Sequence, residues 1–317
     1  MDCTMKTSGT ISRVVILVIA GVLLIGGCVT YSSGADPGPV QKTQQTIELG
    51  QATSVKATID ARTDADLTIH DGASTLLNAD FTYNESLKPD VSYNVDSAVG
   101  TLSITQPARQ NLDSRKLNNK WDLQFGTDVP LDLSARISSG NTTLDLSQVQ
   151  LTALNVDTSS GNLGASVGGN QASLTSVDVS TASGTIGLNL NGEFPMLQTI
   201  SLNESSGNID LITSGTFASL SSLTVKSSSG NSTLDLSGTW SHDLASTIRT
   251  SSGNVIVKLP SNVGVRITTS VSSGNVNATG LHLTDGAYVN DAYGTAPVTL
   301  TFDIRVSSGN ITLLGGG

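Results

Sequence analysis

Val177-Asp178-Val179-Ser180-Thr181-Ala182-Ser183-Gly184-Thr185-Ile186-Gly187-Leu188-Asn189-Leu190 is the stretch that decides how this chain folds. Counting from Gly184, the apolar residues before it stand at odd offsets: Val177 at −7 and Val179 at −5. After it they stand at even ones: Ile186, Leu188 and Leu190 at +2, +4 and +6. Alternation with period two marks a half-buried strand. A straight strand cannot change parity and keep one face inward, because a one-residue slip turns every side chain over. The chain must therefore bend or bulge at the glycine.

Gly184 is one of eight such glycines. The tetrad Ser-Ser-Gly-Asn stands at Ser138–Asn141, Ser159–Asn162, Ser205–Asn208, Ser228–Asn231, Ser251–Asn254, Ser272–Asn275 and Ser307–Asn310, with Ala182–Thr185 as a degraded copy. Gly140, Gly161, Gly184, Gly207, Gly230, Gly253, Gly274 and Gly309 follow one another at intervals of 21, 23, 23, 23, 23, 21 and 35 residues. A period of this kind means one unit stacked on copies of itself. Glycine tolerates positive φ, and serine and asparagine bond nearby backbone groups. Each tetrad thus reads as a structural corner between two sides of a coil. The seven asparagines (Asn141, Asn162, Asn208, Asn231, Asn254, Asn275 and Asn310) are expected to form an amide ladder, interrupted at Thr185.

Between the corners a third apolar set recurs. Phe194, Phe217 and Trp240 fall 23 residues apart, as do Leu174, Leu197 and Leu220. Equal phase in successive coils places side chains about 4.8 Å apart, close enough to stack as inward ladders. The predicted fold is all-β: a parallel β-solenoid of about eight 21–23-residue coils, with a stack on the order of 35–40 Å long.

The chain has 317 residues with 32 Gly but only 5 Phe, 5 Tyr and 2 Trp, which suits a thin stacked core. Its net charge of −10 opposes binding to phosphates, so nucleic acid is not an expected partner. Lys6 and Arg13 precede an apolar run, Val14–Gly27, that ends at Cys28. The run has the length of a signal h-region, and Ile25-Gly26-Gly27-Cys28 matches a lipoprotein processing box, with Cys28 the residue to be acylated. An uncleaved anchor helix is the alternative. Either way the bulk of the chain is expected to be membrane-anchored on the extracytoplasmic face of the envelope. The organisation reads as an anchor segment over 1–28, a polar linker over 29–45, a β-rich N-terminal cap over 46–133 and solenoid repeats over 134–317. Cys3 is the only other cysteine, so no disulfide framework is expected.

In the cap segment, Ala65–Ile69, Phe81–Tyr83, Val91–Val95 and Thr101–Thr105 read as strands, Asp71-Gly72 as a turn and Asn111–Lys120 as an exposed loop. Ala79–Asn84, Lys88–Tyr93, Gly100–Gln106, Trp121–Leu123, Val129–Leu133 and Leu144–Ser147 together resemble the N-terminal part of toastrack domains. The later copies resemble the "putative adhesin" β-strand repeats of the same superfamily. The resemblance implies envelope attachment, and for some members a place beside systems that respond to cell-wall-active antibiotics. It implies no assigned activity.

Little in the sequence points to catalytic chemistry. His70, His242 and His282 occupy unrelated repeat phases without ligand spacing, so no metal site is expected. There is no Gly-x-Ser-x-Gly elbow. Asp132, Asp145 and Asp235 share a Leu-Asp-Leu-Ser context that outward strand positions explain without catalysis. The expected function is a non-enzymatic, cofactor-free, envelope-anchored solenoid with an adhesin-like binding, sensing or scaffolding role, its partner an envelope protein or a glycan. Two alternatives stand beside it. One is a polysaccharide-acting enzyme, for which Phe194, Phe217 and Trp240 would have to face outward. The other is a self-assembling surface protein that associates through its C-terminal coil, unless the segment 284–296 folds over that end.

Overall fold

The strands before and after each repeat glycine go to different sheets. The computed structural model describes residues 17–22, 34–107 and 112–316, and of 17–22 the backbone alone. Leu151–Thr158, Ser176–Ser183, Thr199–Ser206, Ser222–Ser229 and Leu244–Ser252 pair in parallel, each with its copy one repeat away, in what we term sheet II. Leu163–Val167, Ile186–Leu190, Ile209–Thr213, Ser232–Asp235 and Val255–Lys258 do the same in sheet I. Each sheet has 13 strands among the described residues, and a third sheet of three strands closes the side between them. The parity switch sends both strand phases to one interior: Val177, Val179, Ile186, Leu188 and Leu190 are each at most 1% exposed. Phe194, Phe217 and Trp240 lie on the third sheet and point inward. Their rings stack at centroid separations of 5.1 and 4.9 Å, close to the strand spacing. The Trp240 indole Nε1 donates to the Leu236 carbonyl at 3.0 Å, so these rings are core and offer no outer sugar platform.

The eight glycines have φ between +109° and +156° and sit one above another. A Cβ on Gly253 would overlap the carbonyl oxygen of Gly230 in the coil below. The asparagine ladder differs from the expected one. Amide does not bond amide; each Asn Oδ1 except that of Asn275 accepts the backbone N–H of the residue at the same phase in the next coil. Examples are Asn231 N–H to Asn208 Oδ1 at 3.0 Å and Asn254 N–H to Asn231 Oδ1 at 2.9 Å. Asp66 supplies the first acceptor, to Asn141 N–H at 3.1 Å. The tight stacking puts each corner's N–H within reach of the side chain below, and bonding it satisfies a donor that the bend removes from the sheet ladder.

The segment 46–133 extends the same two sheets at one end of the stack. Ser54–Ala61 runs parallel to Leu131–Ile137, and Asp66–Ala73 parallel to Thr142–Asp145. Beyond them the pairing turns antiparallel, with Asp90–Asp96 on Val99–Thr105 in sheet II and with Lys120–Gly126, Leu77–Asn84 and Val40–Ile47 in sheet I. The sheets are therefore mixed rather than purely parallel, and one cluster of buried side chains runs from Ile47 to Leu313. Residues 40–45, expected in the linker, are strand, because every residue of Val40–Ile47 finds a partner on Leu77–Asn84. Asp71-Gly72, expected as a turn, is a bulge inside Asp66–Ala73, with Gly72 at φ +112°. Of the apolar run, Leu17–Val22 is an antiparallel strand on Val40–Ile47 rather than part of a helix. Cys28 lies outside the described residues.

The far end overturns a further expectation. The tetrad that ends at Asn310 stacks directly on the one ending at Asn254, with Asn310 N–H to Asn254 Oδ1 at 2.9 Å. The tetrad ending at Asn275 lies outside it, with Asn275 N–H to Asn310 Oδ1 at 3.0 Å. Thr299–Ser308 and Ile311–Leu314 therefore run between earlier strands, so the C-terminal coil is interior and not the open end. The intervening segment forms a hairpin, His282–Thr284 with Ala287–Val289, that ends sheet II and pairs with Gly264–Ser273 only at Arg266 and Ile267.

Candidate functional site

Two shallow depressions mark the outer faces. The first lies on sheet I across Thr142–Asp145, Leu163–Val167, Ile186–Leu190 and Ile209–Thr213. Register there places Thr143, Gly164, Gly187 and Asp210 in one outward row and Asp145, Ser166, Asn189 and Ile212 in the next. Where the two glycines stand side by side the face loses its side chains, leaving a depression of about 370 Å³ with a largely carbon-lined floor. Neither glycine is there for backbone conformation, since both are absent from the positive-φ residues. Nor is space short: a Cβ on Gly164 would meet nothing within 4 Å, and one on Gly187 only the Leu163 carbonyl oxygen at 3.7 Å. Glycine within a strand costs about 0.5–1 kcal/mol relative to alanine and often marks a place where a ligand or another backbone comes close.

The rim is polar. Asp145 Oδ1 accepts from the Ser147 hydroxyl at 2.7 Å. Asp210 has no hydrogen-bond or ion-pair partner among the described residues, and Asn189 Oδ1 is buried without one. Ile212, 46% exposed, closes one side. Chemically, the rim offers carboxylate acceptors and an amide above a flat, uncharged floor.

The second depression, also about 370 Å³, lies on sheet II beside the row Asp157, Ser180, Asn203 and Lys226. Asp157 there is occupied: the Ser180 hydroxyl donates to its Oδ1 at 2.9 Å, and Arg136 lies 3.5 Å from its Oδ2. Beneath it Glu204 is only 4% exposed. It accepts from the Ser227 hydroxyl at 2.9 Å through Oε2, while Oε1 has no partner. Burial pushes its pKa above the usual carboxylate range, and the Ser227 bond opposes the shift.

No catalytic constellation assembles among the described residues. No three His, Cys, Asp or Glu side chains come together as metal ligands. His70 Nε2 faces Asp122 Oδ1 at 2.8 Å and its Nδ1 faces the Asp71 carbonyl at 2.9 Å, which leaves no nitrogen to serve a serine. His242 and His282 are exposed and lie elsewhere. Asp145 and Asp235 bond serines two residues on, as outward strand-end groups do. The sheet I depression had escaped sequence reasoning, although a signal was there: at +3 the other copies carry Thr143, Asp210, Thr233, Ile256, Asn277 and Thr312, and only Gly164 and Gly187 lack a side chain.

The strand order and stacked corners define an all-β, solenoid-like protein. Residues 36–187 match the N-terminal domain of toast_rack, DUF2154, and over that part the chain is similar to that family. Comparison with curated proteins finds no match. Among solved structures it overlaps a "putative cell adhesion protein" from Clostridium sporogenes, at 20% identity and TM-score 0.38 over 87% of this chain and all of that one. It also overlaps "putative adhesins" from Parabacteroides merdae (14%, TM-score 0.42, 88% and 98% covered) and Parabacteroides distasonis (12%, 0.43, 87% and 98%). These overlaps are too loose to carry an argument about this chain. No helix among the described residues is long and apolar enough to cross a membrane.

Proposed function

We propose that the chain is a non-enzymatic, adhesin-like binding scaffold of the cell envelope, and that it holds a glycan across Gly164 and Gly187. The observation that carries this reading is the pair of side-chain-free positions on adjacent strands, which neither φ nor crowding requires. A pyranose ring laid on the floor would bury its C–H face on carbon, while Asp145, Asp210 and Asn189 at the rim would meet its hydroxyls. The Ile25-Gly26-Gly27-Cys28 box supports tethering by a lipid on Cys28. Isothermal titration with fragments of envelope polysaccharide tests the site. Gly187→Thr, which fills the depression, should weaken binding at least tenfold with the fold intact. Equal binding by this variant and the parent chain would refute the site. Membrane fractionation of Cys28→Ser tests the tether separately, the variant being expected in the soluble fraction.

A further inference from the structure

We propose that two copies of this chain pair edge to edge through Thr268–Thr279, the open end of the stack. Here the last strands of the parallel stack are Gly264–Ser273 in sheet II, beyond which lies only the short hairpin, and Val276–Thr279 in sheet I. The hairpin reaches only Arg266 and Ile267, so residues 268–279 are paired on one side alone, with Thr299–Ser308 and Ile311–Leu314. The inward columns are correspondingly uncovered. Val271, Val276 and Ala278 are half-buried, whereas their partners Val306, Ile311 and Leu313 are at most 2% exposed. The asparagine ladder also ends open: Asn275 N–H is bonded to Asn310, but Asn275 Oδ1 receives no N–H from a further coil.

This edge carries no protection. From Thr268 to Thr279 there is no charged residue and no proline, the two commonest guards of a free strand. In a chain of net charge −10, that makes it an edge where a second copy meets no like charge on the strand itself. The opposite end differs. Its outermost strand in sheet II, Asp90–Asp96, exposes Asp90 and Asp96, and in sheet I antiparallel strands lie beyond Asp66. Head-to-tail growth therefore finds no matching acceptor, while a two-fold pairing of the open edge with itself closes at two copies.

The test is the mass of the full chain in detergent, by sedimentation equilibrium. A dimer is expected. Asn277→Lys, exposed on Val276–Thr279, sets lysines against each other across the two-fold and should raise the dissociation constant at least tenfold with the melting temperature unchanged. Asn277→Cys should cross-link to a dimer under mild oxidation, beyond any background from Cys3 and Cys28, and Thr233→Cys in mid-stack should not. A monomeric parent chain at about 100 µM, an unchanged mass for Asn277→Lys, or a mass that grows past two copies would each overturn the proposal.

Discussion

The corner line and the outer face of sheet I both use glycine, for opposite reasons. At the corner, Gly230 has φ +144° and rests on the Gly207 carbonyl, so a side chain has neither a comfortable backbone nor room. On the face, Gly164 and Gly187 have both, and their missing side chains serve nothing inside the fold. The contrast separates glycine that the stack requires from glycine that the stack tolerates at a cost. Only the second kind leaves open space on the outer face.

Substitutions can break this contrast. Gly230→Ala should cost about 3 kcal/mol or more, since strain at positive φ adds to overlap with a backbone that cannot retreat; denaturant unfolding measures it. Should it cost no more than a surface change, the corner line would not be sterically fixed. Asn254→Ala removes the acceptor for Asn310 N–H at the same line and should cost about 1 kcal/mol in the same assay. Gly187→Thr should do the reverse, stabilising by up to about 1 kcal/mol, because a β-branched residue enters an open strand position.

Two carboxylates sharpen the comparison through pH. Glu204 sits three residues before Gly207, inside the corner. Its folded pKa is raised above 4.5, so the stability it contributes is full below that value and is lost as pH rises through the folded pKa. Glu204→Gln should therefore raise the melting temperature at pH 7 and lose that advantage near pH 4. Asp303 lies on the outer side of sheet II, where hydrogen bonds from Arg249 and then Arg305 hold it at about 2 against some desolvation. Its contribution is present above 3.8 and is lost as pH falls toward 2. Half-exposed and screened, it should give the smallest effect: Asp303→Asn should shift the melting temperature at pH 7 by about a degree or less.

Much of this architecture could be read from residues. The parity change around Gly184 and the recurrence of Phe194, Phe217 and Trp240 are local facts, and the buried columns follow them closely. Gly164 and Gly187 were legible too, as gaps in an outward row, but alternation directs attention inward and passes over them. The strand at Val40–Ile47 was harder to see. Its sequence is mostly polar, and only its antiparallel partner Leu77–Asn84 makes it a strand.

By itself the sequence determined the unit: which residues turn inward, where the chain bends and what recurs at each level. Those properties follow from side-chain period and glycine conformation, which act over a few residues. Only the tertiary structure decided the order of the units. Every coil presents nearly the same edge of backbone donors and acceptors, so local pattern cannot say which copy comes next. The coil ending at Asn310 took the place beside Asn254 and left Asn275 at the rim, a choice made by pairing across 56 residues.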